Sequence, residues 1–505
     1  MDGQSTCPHA VGMPRAVTAS RVASLVGPHL DAGHGRRGEG PAYGRLADAL
    51  RQAIVDGRLP QGVRLPSERE LTAHVALSRT TVTRAYGELR EQGYLSTRRG
   101  SGSVVRIPAV PGGRVDHLLA PSSLEATDAV DLTCTAQSAP SGLSTAFERA
   151  LGELPAYLPG TGYYPSGLPA LRERIAARFS DRGLPTDPDQ VLVTAGALAA
   201  VATACGPLVR RRAPVLVESP TYPNAVAALQ GAGARLVPHP LDHLTQDWDV
   251  PGLEAALRAS GARTAYLIPD FHNPTGALMD EAQRAAVGRT LRAHDVVAVI
   301  DESLVDLPLE GQEVPVPLGR HLPTAITVGS ASKTFWGGLR VGWLRVPRPR
   351  VEEFASSRLR LDLGAAVFEQ LVVCHLLDRY DELVAERRAS LRTGRDVLLE
   401  GLATHLPDWR VRVPAGGMAL WCALPRPGST RLAVAARRHG VVLAAGPTFA
   451  PAGGMDGWVR LPYSLQAAQL AGVAERLAAA WDDVVRGRVR LEDLGRGVTS
   501  DRIIA

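Results

Sequence analysis

The chain reads as an α/β protein of two unlike parts: a small helical module near the N-terminus and a larger domain built around a mostly parallel sheet. Three observations predict this. Between residues 41 and 107, short amphipathic stretches with cap residues lead into an alternating segment with a Gly-rich turn. Beyond residue 130, apolar runs alternate with helix-length segments. With 505 residues, 45% of them hydrophobic and 21% charged, the chain can bury a large core.

Composition excludes several classes. Five cysteines (Cys7, Cys134, Cys205, Cys374, Cys422) lie far apart with no CxxC pair, which supports neither a zinc knuckle nor a disulfide framework. The 13 histidines show no ligand spacing, so no metal site is expected. The N-terminus lacks the basic, apolar and small-residue order of a signal peptide, which predicts a cytoplasmic protein. The longest uncharged stretch, Val191 to Val209, is broken by Gly196 and by Gly206-Pro207. It reads as a strand, a turn and a buried helix, not as a membrane span.

Residues 1–40 show no clear periodicity and are expected to be a disordered lead-in. From there the elements follow in order. Tyr43, Leu46, Ala47, Leu50 and Ile54 recur at helical spacing up to Gly57. Ser67 opens a second helix, with Glu70 completing a capping box and Leu71 and Val75 as its apolar face. Ser78 caps a third, in which Val82, Ala85, Tyr86 and Leu89 face inward before Gly93. Tyr94 to Arg106 then alternates around Arg98-Arg99-Gly100-Ser101-Gly102, a hairpin with a basic tip. Three short helices and a hairpin make a winged helix-turn-helix over 41–107. The charge agrees: residues 41–108 hold eleven Arg against six Asp or Glu, whereas 109–505 are nearly balanced. Arg69, Ser78, Arg79, Thr80, Thr81, Thr83, Arg98 and Arg99 are the candidate contacts to double-stranded DNA, placed where a recognition helix and wing meet phosphates and base edges.

Residues 108–129 are rich in Pro, Gly and Ser and suit a linker. The large domain spans 130–486, with a frayed tail over 487–505. Its strand-like runs are Val191 to Thr194, Val215 to Glu218, Ala265 to Ile268, Val296 to Ile300 and Ala325 to Val328.

One residue stands apart: Lys333 is the single lysine among 56 basic residues. A codon bias toward arginine explains the depletion and leaves the survivor unexplained. Guanidinium replaces an ammonium as a surface charge but not as a nucleophile, because it does not lose its proton. In a parallel sheet, ligands sit at the carboxyl ends of strands, so the residues after each run are the ones that matter. They are Ala197-Leu198 at a helix entry, Tyr222, Asn273, Asp301, and Ser330-Ala331-Ser332-Lys333 with Arg340 beyond. An aldehyde cofactor bearing a phosphate needs such a set: an amine for a Schiff base, hydroxyls and a guanidinium for the phosphate, and a carboxylate for a ring nitrogen.

Two resemblances follow. Residues 59–106, with Leu65-Pro66-Ser67-Glu68-Arg69-Glu70-Leu71, Ser78-Arg79-Thr80-Thr81-Val82 and Glu91-Gln92-Gly93-Tyr94-Leu95, resemble the winged-helix domain of the GntR superfamily. The resemblance implies that Arg69 and Arg79 contact DNA and that Gly100 to Gly102 lets the wing approach the minor groove. The large domain resembles fold-type I pyridoxal phosphate enzymes of the aspartate aminotransferase group. That implies pyridoxal 5'-phosphate held as an aldimine on Lys333, with Asp301 on the ring nitrogen, Tyr222 on the ring face and Asn273 on the ring hydroxyl. Ser330, Ser332, Arg340 and the backbone of Ala197 and Leu198 would hold the phosphate, and Arg460 would grip an effector carboxylate. Two positions depart from the family pattern: Ser303 and Leu304 stand where a Tyr usually follows the Asp, and Ala197 and Leu198 replace polar phosphate ligands.

Both halves in this order resemble the MocR subfamily of transcription regulators. The implied protein is a head-to-tail homodimer that binds an operator and senses pyridoxal phosphate, an amino acid or an amine, with Tyr163 or Tyr164 reaching the partner's site. A working aminotransferase with an appended DNA module is the alternative, and a constitutive DNA-binding protein without cofactor is a further one. No membrane association is expected.

Overall fold

The computed structural model describes residues 16–31, 41–55, 58–59, 62–98, 102–106, 129–242 and 248–489. The chain divides into two compact units, Met1–Arg114 with Ala139–Thr145, and Val115–Ser138 with Ala146–Ala505. The expected linker up to residue 128 and the expected tail from residue 490 lie outside the described residues.

In the first unit, helices α1 (Ala19–Asp31), α2 (Ala42–Val55), α3 (Glu68–Thr72) and α4 (Arg79–Glu91) precede strands β1 (Leu95–Arg98) and β2 (Gly102–Val105). The caps act as the sequence requires. The Ser67 hydroxyl accepts from the Glu70 N–H at 3.2 Å while the Glu70 carboxylate accepts from the Ser67 N–H at 2.8 Å. The Ser78 hydroxyl accepts from the Thr81 N–H at 3.1 Å. Leu46, Leu50, Ile54, Leu71, Val82, Tyr86 and Leu89 share one core, and the buried Tyr86 hydroxyl is satisfied by donating to the Pro66 carbonyl at 3.0 Å. Helix α4 ends at Gly93, whose φ of 80° is open to glycine at no steric cost. The hairpin pairs Leu95 with Val105 through to Arg98 with Gly102. The tip residues Arg99, Gly100 and Ser101, and the Arg98 side chain, lie outside the described residues.

The lead-in expectation is corrected over residues 16–31. Val22, Leu25 and Val26 of α1 are buried in the same core as α2. Their i, i+3, i+4 spacing is the signal, and the surrounding Gly, His and Ala obscured it.

The second unit carries β3 (Val130–Leu132), β4 (Val191–Thr194), β5 (Pro214–Ser219), β6 (Arg235–Pro240) and β7 (Thr264–Leu267). It continues with β8 (Val297–Asp301), β9 (Ile326–Ser330), β10 (Gly342–Arg345), β11 (Arg410–Val411) and β12 (Ala419–Ala423), then β13 (Val441–Ala445) and β14 (Trp458–Pro462). A seven-stranded sheet runs in the order β4-β10-β9-β8-β7-β5-β6. Strands β5 to β9 are mutually parallel, and β10 runs antiparallel to both β4 and β9. Both faces are covered, which explains why the runs are apolar throughout instead of alternating. Leu216, Ala265, Leu267, Ala298 and Ile300 pack on one side; Val215, Val217, Tyr266, Val299 and Val328 pack on the other.

The five expected runs are all strands, but β6, β10 and the C-terminal sheet β11-β12-β14-β13-β3 were not anticipated. Strand β6 is an edge strand containing Pro238 and Pro240, a composition that argues against a strand when read locally. Among the described residues no helix is long and apolar enough to cross a membrane.

Candidate functional site

The ends of β5, β7, β8 and β9 open onto a cavity of about 490 Å³ in the second unit. Ala197, Leu198, Tyr222, Asn273, Asp301, Ser330, Ser332, Lys333 and Arg340 all line it. These positions span 144 residues of sequence between Ala197 and Arg340, and parallel-strand topology brings them together because every β–α turn falls at the same sheet edge. Arg460 does not border the cavity and is fully buried.

Lys333 sits on the single-turn helix Ala331–Thr334, which follows β9 directly and is capped by the Ser330 hydroxyl accepting from the Ser332 N–H at 3.1 Å. Its Nζ donates to Thr135 Oγ1 at 3.1 Å and to the Thr135 carbonyl at 3.4 Å. Burial holds the Lys333 ammonium below the ordinary lysine value; Arg460 and Arg340 push the same way, and Asp301 opposes them. A neutral amine is the nucleophilic form. The next residue anchors the turn: Thr334 Oγ1 donates to Asp306 at 2.8 Å, and the same carboxylate accepts from Arg178 at 2.7 Å and Tyr380 at 2.6 Å. Burial alone would raise the Asp306 carboxyl, but Arg178 and these hydrogen bonds hold it below its usual value.

Asp301 ends β8 and is 6% exposed. Its Oδ1 accepts from the Ser303 N–H at 2.9 Å and its Oδ2 accepts from the Tyr266 hydroxyl at 2.7 Å. Sequence reasoning missed both Tyr266 and Thr135. Tyr266 carries the one hydroxyl within the apolar run Ala265 to Ile268, which is the signal available in hindsight; Thr135 lies in an irregular segment with no pattern.

Three features of the cavity lining suit an anion. The helix Ala197–Leu208 begins at Gly196, which offers no side-chain cap to its first N–H groups. The Arg340 guanidinium lies against it, donating to the Ala195 carbonyl at 3.1 Å. Among the described residues the buried Ser332 hydroxyl has no hydrogen-bond partner. Glycine suits position 196 because its φ is 93°, and an added Cβ would crowd the Arg340 guanidinium. The Tyr222 ring lines the cavity, with its hydroxyl accepting from Asn224 at 3.0 Å. Asn273 Oδ1 accepts from Arg460 at 3.0 Å, and the other Arg460 terminal nitrogen donates to the Thr133 carbonyl. The Arg460 guanidinium also lies 4.7 Å from the Phe449 ring centroid, and burial lowers it to about 10.

In the first unit, Ser78, Arg79, Thr80 and Thr83 are exposed around the N-terminus of α4, Thr81 is half-buried, and Arg69 is exposed on α3. Four of them are engaged within the module: Ser78 serves as the cap and its hydroxyl also bonds Thr80 Oγ1 and Thr81 Oγ1, each at 2.8 Å, while Thr83 Oγ1 donates to Glu68 at 2.7 Å.

Residues 159–477 match the family of class I and II aminotransferases, and residues 42–105 match the bacterial regulatory proteins of the gntR family. The chain is similar to the uncharacterized HTH-type transcriptional regulator YisV of Bacillus subtilis, at 29% identity over 76% of this chain and 84% of that protein. It is similar to the arginine–pyruvate transaminase AruH of Pseudomonas aeruginosa, at 33% identity over 62% of this chain and 80% of that protein. Its structure resembles LysN, the α-aminoadipate aminotransferase of Thermus thermophilus crystallised with N-(5'-phosphopyridoxyl)-L-leucine. That likeness has a TM-score of 0.66 and 25% identity, covering 73% of this chain and 96% of the other.

Proposed function

Because this chain belongs to the pyridoxal-phosphate-dependent family of class I and II aminotransferases and carries a GntR domain ahead of it, the arrangement of the MocR subfamily, we propose that it is a transcription regulator whose large domain senses pyridoxal phosphate together with an amino acid or amine. The observation that carries this is that Lys333 and Arg460 both hold one short segment, Thr133 to Thr135. That segment leads back through β3 and residues 107–128 to the DNA-reading module.

The residues present fit the cofactor. Lys333 would hold it covalently; Asp301 would face the ring nitrogen, Tyr222 the ring and Asn273 the ring hydroxyl. The partnerless Ser332 hydroxyl, Arg340 and the open helix start would take the phosphate. Bound there, pyridoxal phosphate supplies an aldehyde carbon that condenses with amines and a ring that absorbs visible light. The chain does the rest. Once the Lys333 nitrogen is engaged elsewhere, its hydrogen bond to Thr135 is given up. A carboxylate presented to Arg460 competes with the Thr133 carbonyl for the same guanidinium. Site occupancy therefore changes what holds the segment, and a ligand shifts the equilibrium to the extent that it binds one arrangement more tightly.

The protein acts in the cytoplasm as a head-to-tail homodimer on two operator half-sites about one helical turn, or a multiple, apart. A second copy is supported by a group of exposed apolar side chains on the large unit, among them Leu158, Tyr163, Leu361 and Leu363. Tyr163 and Tyr164 are candidates to reach the partner's site. The match to an arginine–pyruvate transaminase favours one other reading, an enzyme with an appended reader. Selection from a random DNA library, with and without pyridoxal phosphate and a panel of amino acids and amines, tests the regulator. Recovery of a paired motif whose yield changes with one compound supports it; failure to enrich any motif contradicts it.

A further inference from the structure

Tyr266 lies in β7, parallel to β8, in register with Val299 and two strand positions short of the level of Asp301. Its side chain is fully buried, and it spans that offset to place its hydroxyl 2.7 Å from Asp301 Oδ2. A phenol this deeply buried leaves its hydrogen bond unmade only at a substantial cost, and the bond it makes is to the carboxylate expected at the ring nitrogen. Burial and then Asp301 hold the Tyr266 hydroxyl well above its ordinary value, so it stays protonated and acts as a donor. A donor favours an ionised carboxylate over a neutral one. The Ser303 N–H fixes the other oxygen, so the carboxylate is held at both ends and cannot rotate away.

We propose that Tyr266 is a positioning residue of the cofactor site: it holds the Asp301 carboxylate oriented toward the ring nitrogen of pyridoxal phosphate. It thereby supplies from β7 part of the support that the family draws from a Tyr after the Asp, a place taken here by Ser303 and Leu304. The hydrogen bond is made to the carboxylate and not to the ring hydroxyl, so the support is electrostatic and acts through Asp301. Lys333 and Tyr222 interact electrostatically with Asp301, and Glu218 with Tyr266. Each stays in place when the phenol hydroxyl is removed.

This inference rests on the cofactor reading above, and its test separates the two. Pyridoxal phosphate is titrated into the full chain, into Tyr266→Phe, into Asp301→Asn and into the double variant, following visible absorbance across a range of pH. Loss of a hydrogen bond to a charged group predicts about tenfold weaker binding for Tyr266→Phe. In the Asp301→Asn background the same substitution has little further effect, since the charge it supports is gone. If the parent chain develops no band, the cofactor reading fails and takes this inference with it. If the parent binds and Tyr266→Phe matches it in affinity, the role of Tyr266 alone is overturned. An equal loss in both backgrounds would also overturn it, as the mark of a merely structural residue. Should Tyr266→Phe fail to fold, Tyr266→Leu enters the same cycle.

Discussion

Lys333 Nζ donates to Thr135 Oγ1 at 3.1 Å, which ties the one lysine of the chain to a residue six positions beyond the end of the expected linker. This bond uses hydrogens of the same nitrogen that would be engaged by an aldehyde, so the two compete for Lys333. Replacing Thr135 with Val removes the side-chain acceptor and leaves the longer contact to the Thr135 carbonyl. A neutral hydrogen bond contributes about 1 kcal/mol net, so pyridoxal phosphate is expected to bind about fivefold more tightly to Thr135→Val. Calorimetric titration checks it, and weaker binding would show that Thr135 serves the bound state instead.

The pH dependence has a definite sign. Burial lowers Lys333, so more of its amine is neutral at a given pH than for an exposed lysine. The rate of cofactor attachment should rise with pH and level off below the range in which an ordinary lysine titrates. Removing the positive charge in Arg460→Gln takes away one of the groups that lower it, and the rising limb should move to higher pH. Stopped-flow absorbance in a pH series measures the shift; a limb that moves to lower pH would contradict this electrostatic account.

Gly196→Ala tests the anion site. The added methyl meets the Arg340 guanidinium and sits on a backbone with φ of 93°. Strain of this kind costs about 1–3 kcal/mol, and the displaced guanidinium should weaken pyridoxal phosphate far more than pyridoxal, which lacks the phosphate. Equal losses for both ligands would mean that the substitution damages the fold in general.

In the reader, Arg69→Ala and Arg79→Ala should each weaken binding to the selected DNA and reduce its salt dependence by about one counterion. Ser78→Ala should instead lower the thermal stability of the reader by about 1 kcal/mol, because that hydroxyl is spent on capping α4. Anisotropy at several salt concentrations, beside thermal denaturation, separates the two kinds of effect.

The legible parts of this protein were those in which a local pattern and its tertiary use coincide. Ser67 and Ser78 cap helices wherever those helices go, and a run such as Val191 to Thr194 is buried on both sides. The nine cavity residues were readable because each follows a strand in a sheet whose turns share one edge. Strand β6 was missed because its prolines are tolerated at a sheet edge, a position that exists only once the sheet is assembled. Helix α1 was missed because its stripe is short. Tyr266 and Thr135 were invisible for a different reason: their value lies in what they touch, Asp301 at 35 residues' separation and Lys333 at 198. Arg460 was identified by its motif, yet its burial behind Asn273 and Thr133 emerged only in three dimensions.

The most direct test of the central claim records visible absorbance and DNA anisotropy in one cuvette, as pyridoxal phosphate and then a panel of amines is added to the full chain and to Lys333→Ala. The account predicts a band that grows with cofactor in the parent chain, a change in DNA affinity that tracks its occupancy or its later shift with one amine, and neither in the variant. A band that forms while DNA affinity stays constant through every addition would contradict it.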